Sequence, residues 1–169
     1  MPITRRQVLA LGALSAAVAT AGVGGTVASW WGQPPGAPLQ HLSAGEAAFI
    51  RALAEVAYPA TAAIPVGAAA LGLDVFLDDA MGALPGTPRK LVKLLLNALD
   101  AWPVPRRFGT FSTLSVEDRL AVMDHLQNHW NPQIRQGTSS LLLLIGMGYC
   151  THPQVSPFFS RWHGCGYGR

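Results

Sequence analysis

Beyond residue 43 the chain repeats one pattern: apolar residues at helical spacing, with each run closed by proline or glycine. Ser43, Ala44, Gly45 and Glu46 have the form of a capping box. Phe49, Ile50, Leu53 and Ala57 follow on one face, which predicts a first helix ending at Tyr58 and Pro59. A loop containing Pro65 and Gly67 leads into a short helix over residues 72–81, with Leu73, Phe76, Leu77 and Ala80 inward. Leu84, Pro85 and Gly86 break it.

Thr87 and Pro88 start a third helix, a cap residue before a proline in the first turn. Its apolar stripe is Leu91, Leu94, Leu95, Ala98, Leu99 and Trp102, which leaves Lys90, Lys93, Asn97 and Asp100 facing water. Pro103 and Pro105 stop it, and residues 108–114 read as a turn. Ser115 to Asp118 start a fourth helix that buries Leu120, Met123, Leu126 and Trp130. After Asn131 and Pro132, residues 135–150 form a fifth. Its run LLLLIGMGY is too short to span a bilayer and is expected to be the central buried helix, with Gly146 and Gly148 allowing a neighbour close approach. No alternating strand pattern occurs. The expected fold is all-α, a compact bundle of about five or six short helices over residues 43–169, after an N-terminal signal or anchor helix.

Residues 1–31 follow different rules. Arg5 and Arg6 precede a stretch with no charged residue as far as Trp31, rich in Ala and Gly. A paired arginine before a weakly apolar segment is the form of a twin-arginine (Tat) export signal. Val27, Ala28 and Ser29 offer a cleavage site before Trp30. Retained, residues 8–29 could instead cross a hydrocarbon core of ~30 Å as an anchor, with Trp30 and Trp31 at the interface. Residues 32–42, GQPPGAPLQHL, form a Pro/Gly-rich linker. The expected location is the periplasm, associated with the cytoplasmic membrane.

Of 12 basic residues, Arg5 and Arg6 belong to the signal, which leaves 10 against 9 acidic residues, or +1. That balance, with no arginine-rich face, excludes nucleic acid as a partner. The chain has no nucleophile elbow, phosphate loop, dinucleotide fingerprint or haem-attachment motif, so no catalytic or cofactor-binding residue is assigned. His125 and His129 lie four apart on the fourth helix, but two histidines supply only half a tetrahedral metal site.

Cys150 and Cys165, the two cysteines, bracket CTHPQVSPFFSRWHGC, with His152 and His163 each one residue inside. Structural zinc motifs usually space paired ligands by about two to four residues, which these gaps do not fit. In an oxidising compartment a Cys150–Cys165 disulfide is the favoured reading, with free thiols and a metal site as alternatives. The bond would close a loop of about 15 residues, worth roughly 3 kcal/mol in the chain-entropy model. Phe158, Phe159 and Trp162 in this tail are hard to bury in so small a domain and are candidates for packing on a partner.

The Tat route carries folded proteins. A small helical domain with such a signal and no cofactor motif makes sense as an escort for a larger folded subunit. The motif order supports this. Leu42, Ser43 and Glu46, with Ala52, Leu53, Tyr58 and Pro59, then FGTFSTLSVEDR from Phe108 through Arg119, then HPQV after Tyr149, resemble the gluconate 2-dehydrogenase subunit 3 family over most of residues 40–160. The sequence departs from the family pattern in its tail and in the low acidity of residues 60–86. The resemblance implies a non-catalytic small subunit beside a flavin (FAD) oxidoreductase of the glucose–methanol–choline type, often with a membrane-bound multihaem cytochrome c. It implies no cofactor in this chain itself. A metal-binding or electron-transfer protein using the Cys/His tail is the alternative, and a standalone hydrolase or oxidase ranks last.

Overall fold

The computed structural model describes residues 33–160, Ser160 in its backbone only. Arg5, Arg6, Trp162 and Cys165 lie outside the described residues. The described part is helical throughout, with no strand. It has five helices of at least 11 residues: α1 (Ala44–Ala57), α2 (Leu73–Ala83), α3 (Gly86–Ala101), α5 (Val116–Gln127) and α6 (Pro132–Thr151). Two single turns, α4 (Val104–Arg107) and α7 (Ser156–Ser160), complete the order. α1, α5 and α6 start at side-chain caps, whereas α3 starts at Gly86 after Pro85, so Thr87, expected to cap it, lies inside its first turn. Ser43 Oγ accepts from Glu46 N at 3.3 Å, Ser115 Oγ from Asp118 N at 3.2 Å, and Asn131 Oδ1 from Gln133 N at 2.9 Å.

The central element is α1, not the leucine-rich α6. α1 packs against α2, α3, α5 and the short 3-10 turns Ala68–Ala70 and Phe111–Thr113. Phe49, Ile50 and Leu53 are at most 3% exposed. Phe49 meets Phe111 edge-on at 5.4 Å. Arg119 fastens that turn, its guanidinium donating to Phe111 O at 3.2 Å and Ser112 O at 2.9 Å while reaching Glu55 on α1 at 2.6 Å. In α6 only one face is inward, through Leu141, Ile145 and Tyr149. Leu143 and Met147 are 66% and 56% exposed. A run of four leucines outlines no face of its own, so neighbours decide which ones are covered.

α3 differs from expectation in the same way. Its buried positions are Lys93, Leu96 and Leu99, while Leu91, placed in the apolar stripe, is 59% exposed. The rotation has a polar cause. Glu46, the capping-box acid, is buried at 2% exposure, and its carboxylate needs partners. Lys93 Nζ lies 3.0 Å from its Oε2 and also donates to His41 O at 2.7 Å, and Asn97 Nδ2 donates to its Oε1 at 2.8 Å. Lys93 and Asn97, expected in water, therefore turn inward.

The glycines of α6 do as expected. A Cβ on Gly148 would stand 2.5 Å from the Phe76 ring of α2, and one on Gly146 would collide with the Tyr58 hydroxyl. That hydroxyl donates to Leu142 O at 2.8 Å, and the Tyr149 hydroxyl to Val66 O at 2.8 Å. Residues 40–42, read from sequence as the end of the linker, are held to the domain. Asp78 accepts from the backbone N–H groups of Gln40, His41 and Leu42 at 2.8, 2.8 and 2.7 Å. Leu42 is fully buried.

Candidate functional site

α3 ends at Ala101 with Trp102 as its C-cap, and Pro103 and Pro105 do more than stop it: they open α4, where proline at the first positions loses no helical hydrogen bond. The turn closes on Phe108, whose N–H donates to Val104 O at 3.0 Å and whose backbone is left-handed at φ 54°. Among the described residues Phe108 is the one non-glycine with positive φ, a conformation costly for a bulky residue. Its ring is 95% exposed. Arg107 beside it pairs with Asp118 and so ties α4 to the first turn of α5.

α4 and α5 enclose a groove of about 130 Å³ with an apolar floor of Trp102, Pro103 and Val122, and a rim of Arg106, Arg107 and His125. A second groove of about 170 Å³ lies across Trp102, between α3 and the start of α6, against Leu95, Leu99 and Ile134. The Trp102 indole N–H is buried and has no acceptor among the described residues, an arrangement that costs about 1–3 kcal/mol.

An aromatic chain leads away from the groove. Trp102 and His125 each meet His129 edge-on at 5.3 Å, and His129 lies 5.6 Å from the Trp130 ring. His129 is buried, with Nδ1 accepting from Asn131 N at 3.1 Å. His41 stands elsewhere, beside Arg89 and Gly82. Among the described residues no three His, Cys, Asp or Glu side chains are grouped to hold a metal. Trp130, expected in the core, is 82% exposed, and Leu120 is 46% exposed. α5 ends at Gln127, so helical spacing no longer applies three residues later, and His129 takes the inward place instead. Phe108 and Trp130 are the two most exposed of the large apolar side chains described.

The gluconate 2-dehydrogenase subunit 3 family model matches residues 44–167, from the first residue of α1 to beyond α7. The chain belongs to that family. No curated protein and no solved structure matches it. The family takes its description from a subunit of a dehydrogenase, an accessory component of a larger complex. Phe108 and Trp130 are both exposed, and neither lines either groove.

The sequence-predicted site residues fall elsewhere. Cys150 is exposed near the end of α6. It stands close enough to Tyr58 and Tyr149 that, after burial, it is the second cause raising both phenols above their ordinary pKa. α7 folds back onto α6, with Phe159 edge-on to Tyr149 at 6.5 Å and packed against the domain's own core. Phe158 is half-buried. The order Pro105, Arg106, Arg107, Phe108, Gly109 was the available signal for the exposed Phe108 ring: an aromatic between cations and glycine, in a segment too short to bury it. No helix among the described residues is long and apolar enough to cross a membrane.

Proposed function

We propose that the chain is the small, non-catalytic subunit of a membrane-associated, FAD-dependent alcohol or sugar dehydrogenase complex. Its partner is a flavoprotein of the glucose–methanol–choline type, which passes electrons to a multihaem cytochrome c. The small subunit travels by the twin-arginine route through Arg5 and Arg6, and helps the catalytic subunit reach the periplasm folded and stay so. The observation that carries this reading is the family match over residues 44–167. The exposed Phe108 and Trp130 support it, since a domain that functions alone has little reason to keep two large rings in water.

Affinity purification of the full chain from native membranes, with the absorption spectrum of the eluate, tests the reading. Flavin bands with a co-eluting large polypeptide, and haem c bands if the cytochrome is retained, are expected. A pure small protein without chromophore overturns it.

A further inference from the structure

We propose that residues 161–169 of the chain itself cover the exposed face of α6, with Cys165 against Cys150 and Tyr167 over Met147 and Leu143. The inference goes beyond the subunit reading and does not depend on it.

α6 leaves one stripe in water. Gln136, Leu143, Met147 and Cys150 follow at seven-, four- and three-residue spacing, so they lie one above another on the helix, and all four are exposed. Leu143 and Met147 are 66% and 56% exposed on adjacent turns. A contiguous apolar pair, unlike a single exposed residue, marks a contact surface.

Charge narrows the occupant. From Gln136 through Ser160 the chain has no Asp, Glu, Lys or Arg. A charged segment docked there would lose hydration without gaining a counter-ion. Residues 162–168, WHGCGYG, are equally free of those four types.

Reach selects the chain's own tail. α7 folds back onto α6, with the Phe159 ring 6.5 Å from that of Tyr149, the neighbour of Cys150. The residues from Ser160 to Cys165 span up to about 18 Å, ample to pass round the helix to Cys150. Beyond Cys165 two extended residues advance about 7 Å. Met147 and Leu143 stand about 4.5 and 10.5 Å back along α6 from Cys150, so Tyr167 falls over both. Its ring suits the Met147 thioether. Alternate residues of an extended segment face the same way, which sets His163, Cys165 and Tyr167 on one side and Gly164, Gly166 and Gly168 on the other. Side chains are then present where the segment meets α6 and absent on its outer side. Being tethered, the tail also acts at an effective concentration of roughly millimolar, which a free partner must exceed.

The test uses the full chain in its membrane-derived complex, with Tyr167→p-benzoylphenylalanine, irradiation and mass spectrometry of the product. A cross-link within the chain to Leu143, Met147 or an adjacent residue of α6 is expected. Cross-links only to a second copy of the chain or to lipid overturn the proposal, as does no cross-link at all. A cross-link only to a co-purifying subunit also overturns it, assigns this face of α6 to the partner and leaves the subunit reading standing. Tyr167→Ala is expected to raise hydroxyl-radical oxidation of Met147 severalfold, with oxidation of the half-buried Met123 unchanged. Equal oxidation of Met147 in wild type and Tyr167→Ala overturns the proposal as well.

Discussion

Lys93 of α3 and Glu46 of α1 meet at 3.0 Å, with the Glu46 side chain fully buried and Lys93 only 11% exposed. The same carboxylate caps its own helix through Ser43 N at 2.8 Å. One acid thus starts α1 and sets the rotation of α3. Removing Lys93 leaves a buried charge without its counter-ion, which costs about 3–5 kcal/mol. Lys93→Met is therefore expected to lower the urea-unfolding free energy by that amount, and Glu46→Gln/Lys93→Met to recover a substantial part. A loss under about 1 kcal/mol in the single variant would contradict the assignment.

Asp78 makes stability depend on acid. Burial opposes its ionised form, but the N–H groups of Gln40, Leu42 and His41 outweigh that and hold its pKa below the ordinary aspartate value. The folded pKa is lower than the unfolded one, so its contribution is fully present above the unfolded value, near pH 4, and is lost as pH falls through the folded one. Asp78→Asn is expected to cost roughly 2–3 kcal/mol at pH 7. It should also flatten the fall in Tm between about pH 4 and 2, measured by circular dichroism.

Asp100 works in the opposite sense. Burial raises its pKa, and the bond from Ser112 N at 2.9 Å does not compensate. Its contribution is therefore present below the unfolded pKa and is lost as pH rises through the folded one. Asp100→Asn keeps an acceptor for Ser112 without the charge. At pH 7 it should be as stable as wild type or up to about 1 kcal/mol more stable, a comparison that calorimetry can make.

Close packing of α6 depends on its glycines. Gly148→Ala forces a methyl against the Phe76 ring, and Gly146→Ala one against the Tyr58 hydroxyl. Each should destabilise by about 1–3 kcal/mol despite alanine's better helix propensity. Gly45→Ala is the control, since nothing lies within 4 Å of its added Cβ. There the propensity gain should appear alone.

Cys150 and Cys165 remain the proposed disulfide. In the exported protein, alkylation with a mass-tagging maleimide should add no label before reduction and two after it. Two labels before reduction would show free thiols, and labelling that rises when a chelator is added would favour the metal alternative.

Much of this fold could be read locally. Ser43, Ser115 and Asn131 cap helices through atoms no more than three residues away, and the prolines and glycines between runs interrupt the backbone wherever they stand. The close approaches at Gly146 and Gly148 were legible too, because a missing side chain on an inward face has few other uses. The candidate site was not. Trp130 follows an apolar run, and periodicity assigns such a residue to a core unless the helix is known to have ended, while Phe108 opens a segment legible only as a turn.

By itself the sequence determined that the domain is helical, where its helices begin and break, and, through its motif order, the family to which it belongs. These depend on backbone groups and side chains within about one helical turn of each other. Which face of each helix turns inward was decided only in the tertiary structure. Glu46 finds Lys93 and Asn97 about 50 positions later, and Asp78 gathers the backbone of residues 40–42 from nearly 40 positions before. A buried carboxylate must be paired, and its partners come from whatever the fold brings beside it. That requirement outweighed the apolar stripe of α3, and the ends of α4 and α5 left Phe108 and Trp130 in water.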